Sequence, residues 1–151
     1  MKKAKKIVFI LFLCILVSFP LMIFVINNSI AVHTMNDVRR VPLPEKTEFI
    51  EKISTAGKFT GNGNGMQYLG AILIKSELSE EKLKNHYSSY SENDRIYTVE
   101  SQNDKRIKQA ENYTLSFKTD MNGDNYFIVY SYGSSGNDLA DSILDLDIRG
   151  H

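Results

Sequence analysis

The feature that most constrains this 151-residue chain is an uninterrupted apolar run over residues 7–26. The run has no charged residue and only one clearly polar side chain, Ser18. About 20 apolar residues in a helix span the hydrocarbon core of a bilayer, which is roughly 30 Å thick. Because no water is available there, every backbone group must bond internally, which predicts a helix even across Pro20. Four of the first six residues are lysines, and such residues stay on the cytoplasmic side. We therefore predict one membrane span with the rest of the chain outside the cell.

This run could be a permanent signal anchor or a signal peptide that is cleaved after export. Hydrophobic regions of signal peptides usually cover about 7–15 residues, so a run of this length favours a permanent signal anchor. The polar residues that follow end in Ser29-Ile30-Ala31, a small-x-small pattern that suits cleavage after Ala31 and release of a secreted domain. The only cysteine, Cys14, lies inside the run after Leu13, a context that does not fit a lipoprotein.

The anchor interpretation divides the chain into four parts. We predict a cytoplasmic basic tail at residues 1–6, a transmembrane helix at 7–27, a polar stalk without periodicity at 28–40 and an extracytoplasmic domain at 41–151. The domain boundary lies at Val41-Pro42-Leu43-Pro44, because proline holds the residue before it in an extended conformation.

The charge of the outer domain limits its possible partners, and its lack of cysteine limits how it can be stabilised. Four of the 18 basic residues lie in the N-terminal tail, which leaves 14 against all 18 acidic residues. A mildly acidic domain repels phosphate backbones, so we expect no nucleic acid as a partner. The domain has no cysteine, and therefore its stability must come from a core without disulfides.

The first half of the domain predicts two strands and a helix. Residues 47–60 fit one strand, and Gly57 indicates a bulge or bend that would break it in two. Residues 66–76 form a nearly continuous apolar run of strand length, which is typical of a central strand covered on both faces. Residues 79–90 predict a helix with Ser79 as N-cap and with Leu83, Tyr87 and Tyr90 on one face.

The second half predicts three more strands and a last helix. The strands are residues 96–100, 110–118 and 125–132, and Asn122-Gly123 between the last two is a strong hairpin signal. Residues 138–146 fit a helix with Leu139 and Ile143 on one face. The order β-β-α-β-β-β-α predicts an α+β domain, a small antiparallel sheet with its two helices on one face.

The most conspicuous candidate site is a loop of alternating glycine and asparagine, formed by Gly61, Asn62, Gly63, Asn64 and Gly65. Nucleotide-binding loops need G-x-G-x-x-G between a strand and a helix, whereas this pattern is G-x-G-x-G and a strand follows it. The simpler interpretation is a hairpin turn in which Gly and Asn adopt positive φ. The functional alternative is a loop that contacts a partner.

Other chemistry-bearing residues do not form a recognisable group. The segment that begins at Asp120 differs from a calcium loop, since its glycine comes too early and Ser131 stands at position twelve. The three histidines, His33, His86 and His151, have no partner at metal-ligand spacing. Asp138, Asp141 and Asp145 fit a solvated helix face. We therefore expect no catalytic residue, no metal and no cofactor.

Three stretches together resemble a group of known sequences. They are VPLPE at residues 41–45, GKFTGNGNGMQYLGAILIKS at 57–76 and ELSEEKLKNHYSSY at 77–90. They resemble uncharacterised small membrane-anchored or exported proteins of Gram-positive bacteria. The resemblance implies an extracytoplasmic domain and brings no activity with it.

These features favour a non-enzymatic interaction or accessory module at the membrane, with another envelope protein or peptide as its partner. A self-protection protein of the bacteriocin-immunity type is the alternative, because small anchored proteins can intercept a peptide at the bilayer. An envelope hydrolase is the second alternative, and it would use Asp120, Asp124, Asp138 and Asp141.

Overall fold

The computed structural model describes residues 2–59, 65–93, 95–111, 114–133 and 145. Its elements are α1 (Lys2–Arg40), β1 (Thr47–Gly57), β2 (Gln67–Ser76), α2 (Glu80–Ser88), β3 (Thr98–Ser101) and β4 (Tyr126–Gly133). The four strands form one antiparallel sheet in the order β1-β2-β4-β3. The predicted α+β class and the central position of β2 are confirmed.

The stalk expected at residues 28–40 is wrong, because α1 continues as one helix through the apolar run to Arg40. A sheet-facing stripe explains the continuation: Asn27, Ala31, Met35 and Val38 recur every three or four residues and are all at least 92% buried. The domain boundary therefore falls inside α1, and the last turns of this helix belong to the core.

Helix α1 packs unusually close to the sheet at Gly70 on β2. A Cβ at Gly70 would overlap the Met35 backbone nitrogen and lie 2.5 Å from its Cα, and a Cβ at Gly133 would overlap the Thr34 hydroxyl. Ser54 and Ser131 are the cross-strand neighbours of Gly70, so a row of small residues crosses three strands under the helix. Only such a row lets a helix backbone lie against a strand backbone.

Helix α2 lies on the same face of the sheet as the end of α1, an arrangement that was not predicted, since the helix expected beside α2 is the one at 138–146. The Ser79 side chain caps it by accepting a hydrogen bond from the Lys82 amide at 3.4 Å. Leu83 and Tyr87 are buried in a cluster with Val38 and residues of β2, β3 and β4. The prediction that Tyr90 lies on the apolar face of this helix is wrong, since the helix ends before Tyr90 and its side chain is 44% exposed.

The opposite face of the sheet is covered by an irregular segment, residues 102–125. The strand predicted at 110–118 is wrong in its described part, where the only pairing is a single bridge between Arg106 and Ser116. The alternating pattern does bury Phe117, which packs with Ile107 on this face. Both edges of β4 are already occupied, by β2 and β3, so this segment cannot form the expected hairpin with β4.

Three further predictions are corrected or lie outside the described residues. Asn122-Gly123 precedes β4, with Gly123 at φ +109°, but it does not join two strands and is not the expected hairpin. The bulge in β1 lies between Phe49 and Glu51, and pairing then continues without a shift to Gly57. The helix predicted at 138–146 falls outside the described residues, apart from Asp145.

Glu51 ties β1 to the irregular segment. Its carboxylate accepts hydrogen bonds from the Lys118 and Thr119 amides at 3.0 Å and from the Thr119 hydroxyl at 2.9 Å. Burial alone would raise the pKa of this carboxyl, but the hydrogen bonds outweigh it and the pKa is lowered below its ordinary value.

We expect Gly70→Ala to lower the free energy of unfolding by about 2 kcal/mol or more, because backbone atoms of Met35 cannot move aside as a flexible side chain can. Gly65→Ala is the matched control, since its Cβ would meet nothing nearer than 3.8 Å. Thermal unfolding of the full chain in detergent, followed by circular dichroism, measures both. Equal stability of the two variants would contradict the close approach.

We expect Glu51→Gln to destabilise the protein by about 1 kcal/mol at pH 7. A carboxyl whose folded pKa is lowered stabilises the fold above its unfolded pKa near 4.5, and this contribution disappears as the pH falls below that value. The stability gap between wild type and variant should therefore shrink between pH 5 and pH 3 in denaturant titrations. A gap that is constant with pH would show that the charge contributes nothing.

Candidate functional site

The two ends of the sheet differ in their distance from the apolar run. Tyr68, at the start of β2, donates a hydrogen bond to the Asn27 side chain at 3.0 Å, whereas Gly70 contacts Met35 further along α1. Helix α1 and β2 therefore advance in the same direction. We call the end at Tyr68 and Gly133 the near end, and the end at Thr47, Ser76 and Tyr126 the far end.

The predicted glycine–asparagine loop connects β1 to β2 at the near end. Of its five residues the structure describes Gly65, which is exposed, while residues 61–64 lie outside the described part. A Cβ at Gly65 would lie 3.8 Å from Oδ1 of Asp145, whose carboxylate pairs with the Lys58 ammonium at 3.0 Å. Gly65, the described end of the loop, thus lies at the near end beside this ion pair.

A polar cleft of about 480 Å³ opens at the far end. It forms where β1 begins, β2 ends and β4 begins, so three separate parts of the chain line it. The lining residues are Lys46, Thr47, Glu48, Lys75, Ser76, Glu77 and Asn125. Because it lies at the end of the sheet opposite Asn27, it faces away from the apolar run.

Backbone and hydroxyl contacts hold the floor of this far-end cleft. The buried Ser76 hydroxyl lies 2.7 Å from the Thr47 hydroxyl and accepts a hydrogen bond from the Leu78 amide at 3.1 Å. Lys46 has φ +59°, a conformation that L residues rarely adopt, and its carbonyl accepts the Glu77 amide at 3.1 Å. Hydrogen bonds thus hold the turn before β1 against the end of β2.

The rim of the far-end cleft carries two lysines and two glutamates. Lys46 and Glu77 form an exposed ion pair at 3.5 Å. Glu48 stands opposite Lys75 in the strand register, but the Lys75 ammonium leans over the Tyr126 ring, 5.5 Å from its centroid. Glu48 therefore presents its carboxylate to solvent. Such a rim suits the recognition of a charged segment of another molecule.

A second polar cluster lies on the sheet face opposite α1. Glu100 of β3 accepts hydrogen bonds from the Tyr130 hydroxyl at 2.7 Å and the Gln109 amide at 2.6 Å, and the Tyr132 hydroxyl donates to the Gln109 carbonyl. Burial first, and then the Glu100 carboxylate, raise the pKa of both tyrosines. The Glu100 carboxylate and both tyrosine hydroxyls are hydrogen-bonded, whereas the Gln109 side-chain oxygen is buried without a hydrogen-bond partner among the described residues. These bonds brace the irregular segment against the sheet.

Asp37 forms a third cluster, on α1. Its side chain is 9% exposed and contacts three groups: Nδ1 of His33 at 3.2 Å, NH1 of Arg40 at 3.2 Å and Nε of Arg95 at 3.5 Å. Arg95 comes from the turn after α2, so the cluster joins the two helices. His86 has a different partner, the Pro42 carbonyl, at 2.7 Å.

The structure gathers no metal-ligand set within its described residues, where no three His, Cys, Asp or Glu side chains converge. The aspartates named for hydrolysis do not come together either: Asp120 pairs with Lys105, Asp124 is exposed before β4, and Asp138 and Asp141 lie outside the described residues. Sequence reasoning missed the far-end cleft, whose only signal was the polar residues that flank two predicted strands.

We expect Tyr130→Phe to lower the free energy of unfolding by about 1–2 kcal/mol, because it leaves a Glu100 oxygen without its donor. Tyr90→Phe is the matched control, since Tyr90 is largely exposed and lies outside this cluster. Urea unfolding of both variants at pH 7 gives the comparison. A Tyr130→Phe variant as stable as the control would refute the bracing role.

No family model matches the chain, and no match was found among the curated proteins or the solved structures.

Proposed function

We propose that this chain is a non-enzymatic interaction module anchored in the cell membrane. A single span leaves the N-terminus in the cytoplasm and carries the α+β domain on the outer face. The far-end cleft then points away from the bilayer, toward another envelope protein or a peptide.

The observation that supports the proposal most strongly is the course of α1. This helix is long and apolar enough to cross a membrane, with a mean hydropathy of 3.0 in its most apolar window. Its apolar side chains over residues 7–26 are almost all exposed, for example Val8 at 66% and Ile15 at 65%. A contiguous apolar surface of this size is costly in water, and a bilayer removes that cost.

The same helix favours retention over cleavage. A cut after Ala31 would remove Asn27, which bonds the Tyr68 hydroxyl, and Ala31, which packs on Ala56 and Tyr68. The remaining helix would begin inside the sheet contact. An uncut α1 keeps the anchor and the core in one rigid element.

The interaction role is supported by the far-end cleft. Its hydroxyls are engaged with each other and with backbone groups, so none is prepared as a nucleophile. Its charged rim is instead accessible, and charges at a rim steer and select a partner. The anchor places this rim at the point of the domain furthest from the membrane.

Cross-linking in living cells, followed by mass spectrometry of membrane extracts, tests the proposal. We expect a reproducible partner that is recovered with wild type and reduced at least about tenfold by the double charge reversal Lys46→Glu, Lys75→Glu. Lys82→Glu on the exposed side of α2 is the matched control and should keep the partner.

The same spectra report the N-terminus of the mature chain. A peptide at or near Met1 is expected for an anchored module. A chain that begins at Val32 would refute the anchor, and equal recovery of partners from both charge-reversal variants would refute the role of the cleft. Turnover of an envelope substrate by the full chain would refute the non-enzymatic assignment.

A further inference from the structure

We propose that the near end of the domain lies within the headgroup layer of the outer leaflet, so that lipid headgroups are a direct binding partner of the folded domain. The inference rests on the proposed membrane span. It goes further, because a span alone would equally allow a domain that stands clear of the bilayer in water.

The first observation is that the fold overlaps the apolar run. Ile23 lies three residues before the end of the run, yet its side chain is only 1% exposed, while Val25 beside it is 64% exposed. Asn27, one turn later on the same side, is 2% exposed. The folded chain therefore covers one side of α1 to a level about 5 Å before the run ends.

The second observation is the height of the near end above the run. Ile30 and Met66 pack on the cluster of Ala31, Ala56 and Tyr68. At 1.5 Å per residue, Ile30 lies about 6 Å beyond Ile26. The headgroup region extends roughly 5–7 Å beyond the hydrocarbon core on each side, so the start of β2 falls inside it.

The third observation is the distribution of charge along α1. After Lys6, the first ionisable side chain of this helix other than the Cys14 thiol is His33, because residues 27–32 carry no charge. Ser29, about 5 Å beyond Ile26 and so within the headgroup layer, is exposed. Lys58 and Asp145, the charges described beside Gly65, are paired with each other. The far-end cleft, by contrast, carries four charged side chains.

Among the described residues, these observations give an end whose α1 side carries no charge, whose Lys58 and Asp145 are paired, and which is partly apolar and level with the headgroups. Such a surface loses little when water is replaced by the interfacial layer, whereas the charged far end would lose much. A protein partner on this end would have to reach it through the headgroups, so we assign the surface to lipid.

Site-directed spin labelling of the full chain in vesicles of phosphatidylcholine and phosphatidylglycerol tests this assignment. The chain has one cysteine, Cys14, in the middle of the apolar run. Labelled wild type therefore reports the membrane span itself. In a Cys14→Ala background, Ser29→Cys and Gly65→Cys report the near end, and Glu48→Cys on the far end is the aqueous control. Circular dichroism confirms that each variant is folded.

The measured quantity is the ratio of collision rates with oxygen, which partitions into lipid, and with a water-soluble nickel chelate. We expect the highest ratio at position 14, values at least about twofold above position 48 at positions 29 and 65, and a bulk-water value at position 48. Ratios at 29 and 65 equal to that at 48, with position 14 in lipid, would overturn the headgroup contact and leave the span intact.

Two other outcomes are equally decisive. An aqueous ratio at position 14 would refute the span itself, and with it the proposed function. Labels at 29 and 65 that collide with neither reagent would show that protein covers the near end, which would also overturn the lipid assignment.

Discussion

The approach of one backbone to another, where α1 lies against Gly70, is the constraint on which the rest of this structure depends. A helix normally stands off a sheet by the length of two side chains. Here the row of small residues Ser54, Gly70 and Ser131 leaves no large side chain under Met35. The backbone of α1 therefore comes close to the backbone of β2. Because the contact is a surface and not a point, it aligns α1 with β2 and so determines which end of the sheet is near the apolar run.

Sequence alone predicted the elements whose signals are local. The apolar run, the continuous apolar stretch of β2, the Ser79 cap and the aromatic β4 each carry their pattern within about ten residues. The stalk was predicted wrongly because the stripe on α1 uses Asn27 and Ala31, which neither hydropathy nor size marks as buried. Their burial depends on Tyr68 and Ala56, forty and twenty-five residues away along the chain.

For the irregular segment, residues 102–125, the buried side chains were predicted correctly but the secondary structure was not. Leu115 and Phe117 alternate as in a strand and do face the core, so the side-chain pattern was read correctly. What the pattern cannot report is which strand edges are vacant, a property of the whole sheet order. The far-end cleft was hidden for a related reason, since Lys46, Lys75 and Asn125 become neighbours only when three strand ends meet. The glycine–asparagine loop was conspicuous in sequence, but the position of Gly65 at the near end of the sheet follows only from the pairing of β1 with β2.

The alignment of α1 with the strands also governs how two copies can meet. β1 forms an edge of the sheet, and a sheet edge tends to pair with the same edge of another molecule. Antiparallel pairing of two β1 strands needs a two-fold axis perpendicular to the sheet, which would point the two α1 helices in opposite directions. Copies anchored in one bilayer must point them the same way. In the proposed membrane arrangement, neighbouring copies therefore cannot pair two β1 edges in this way, whereas soluble domains must prevent such pairing with charged or shortened edges.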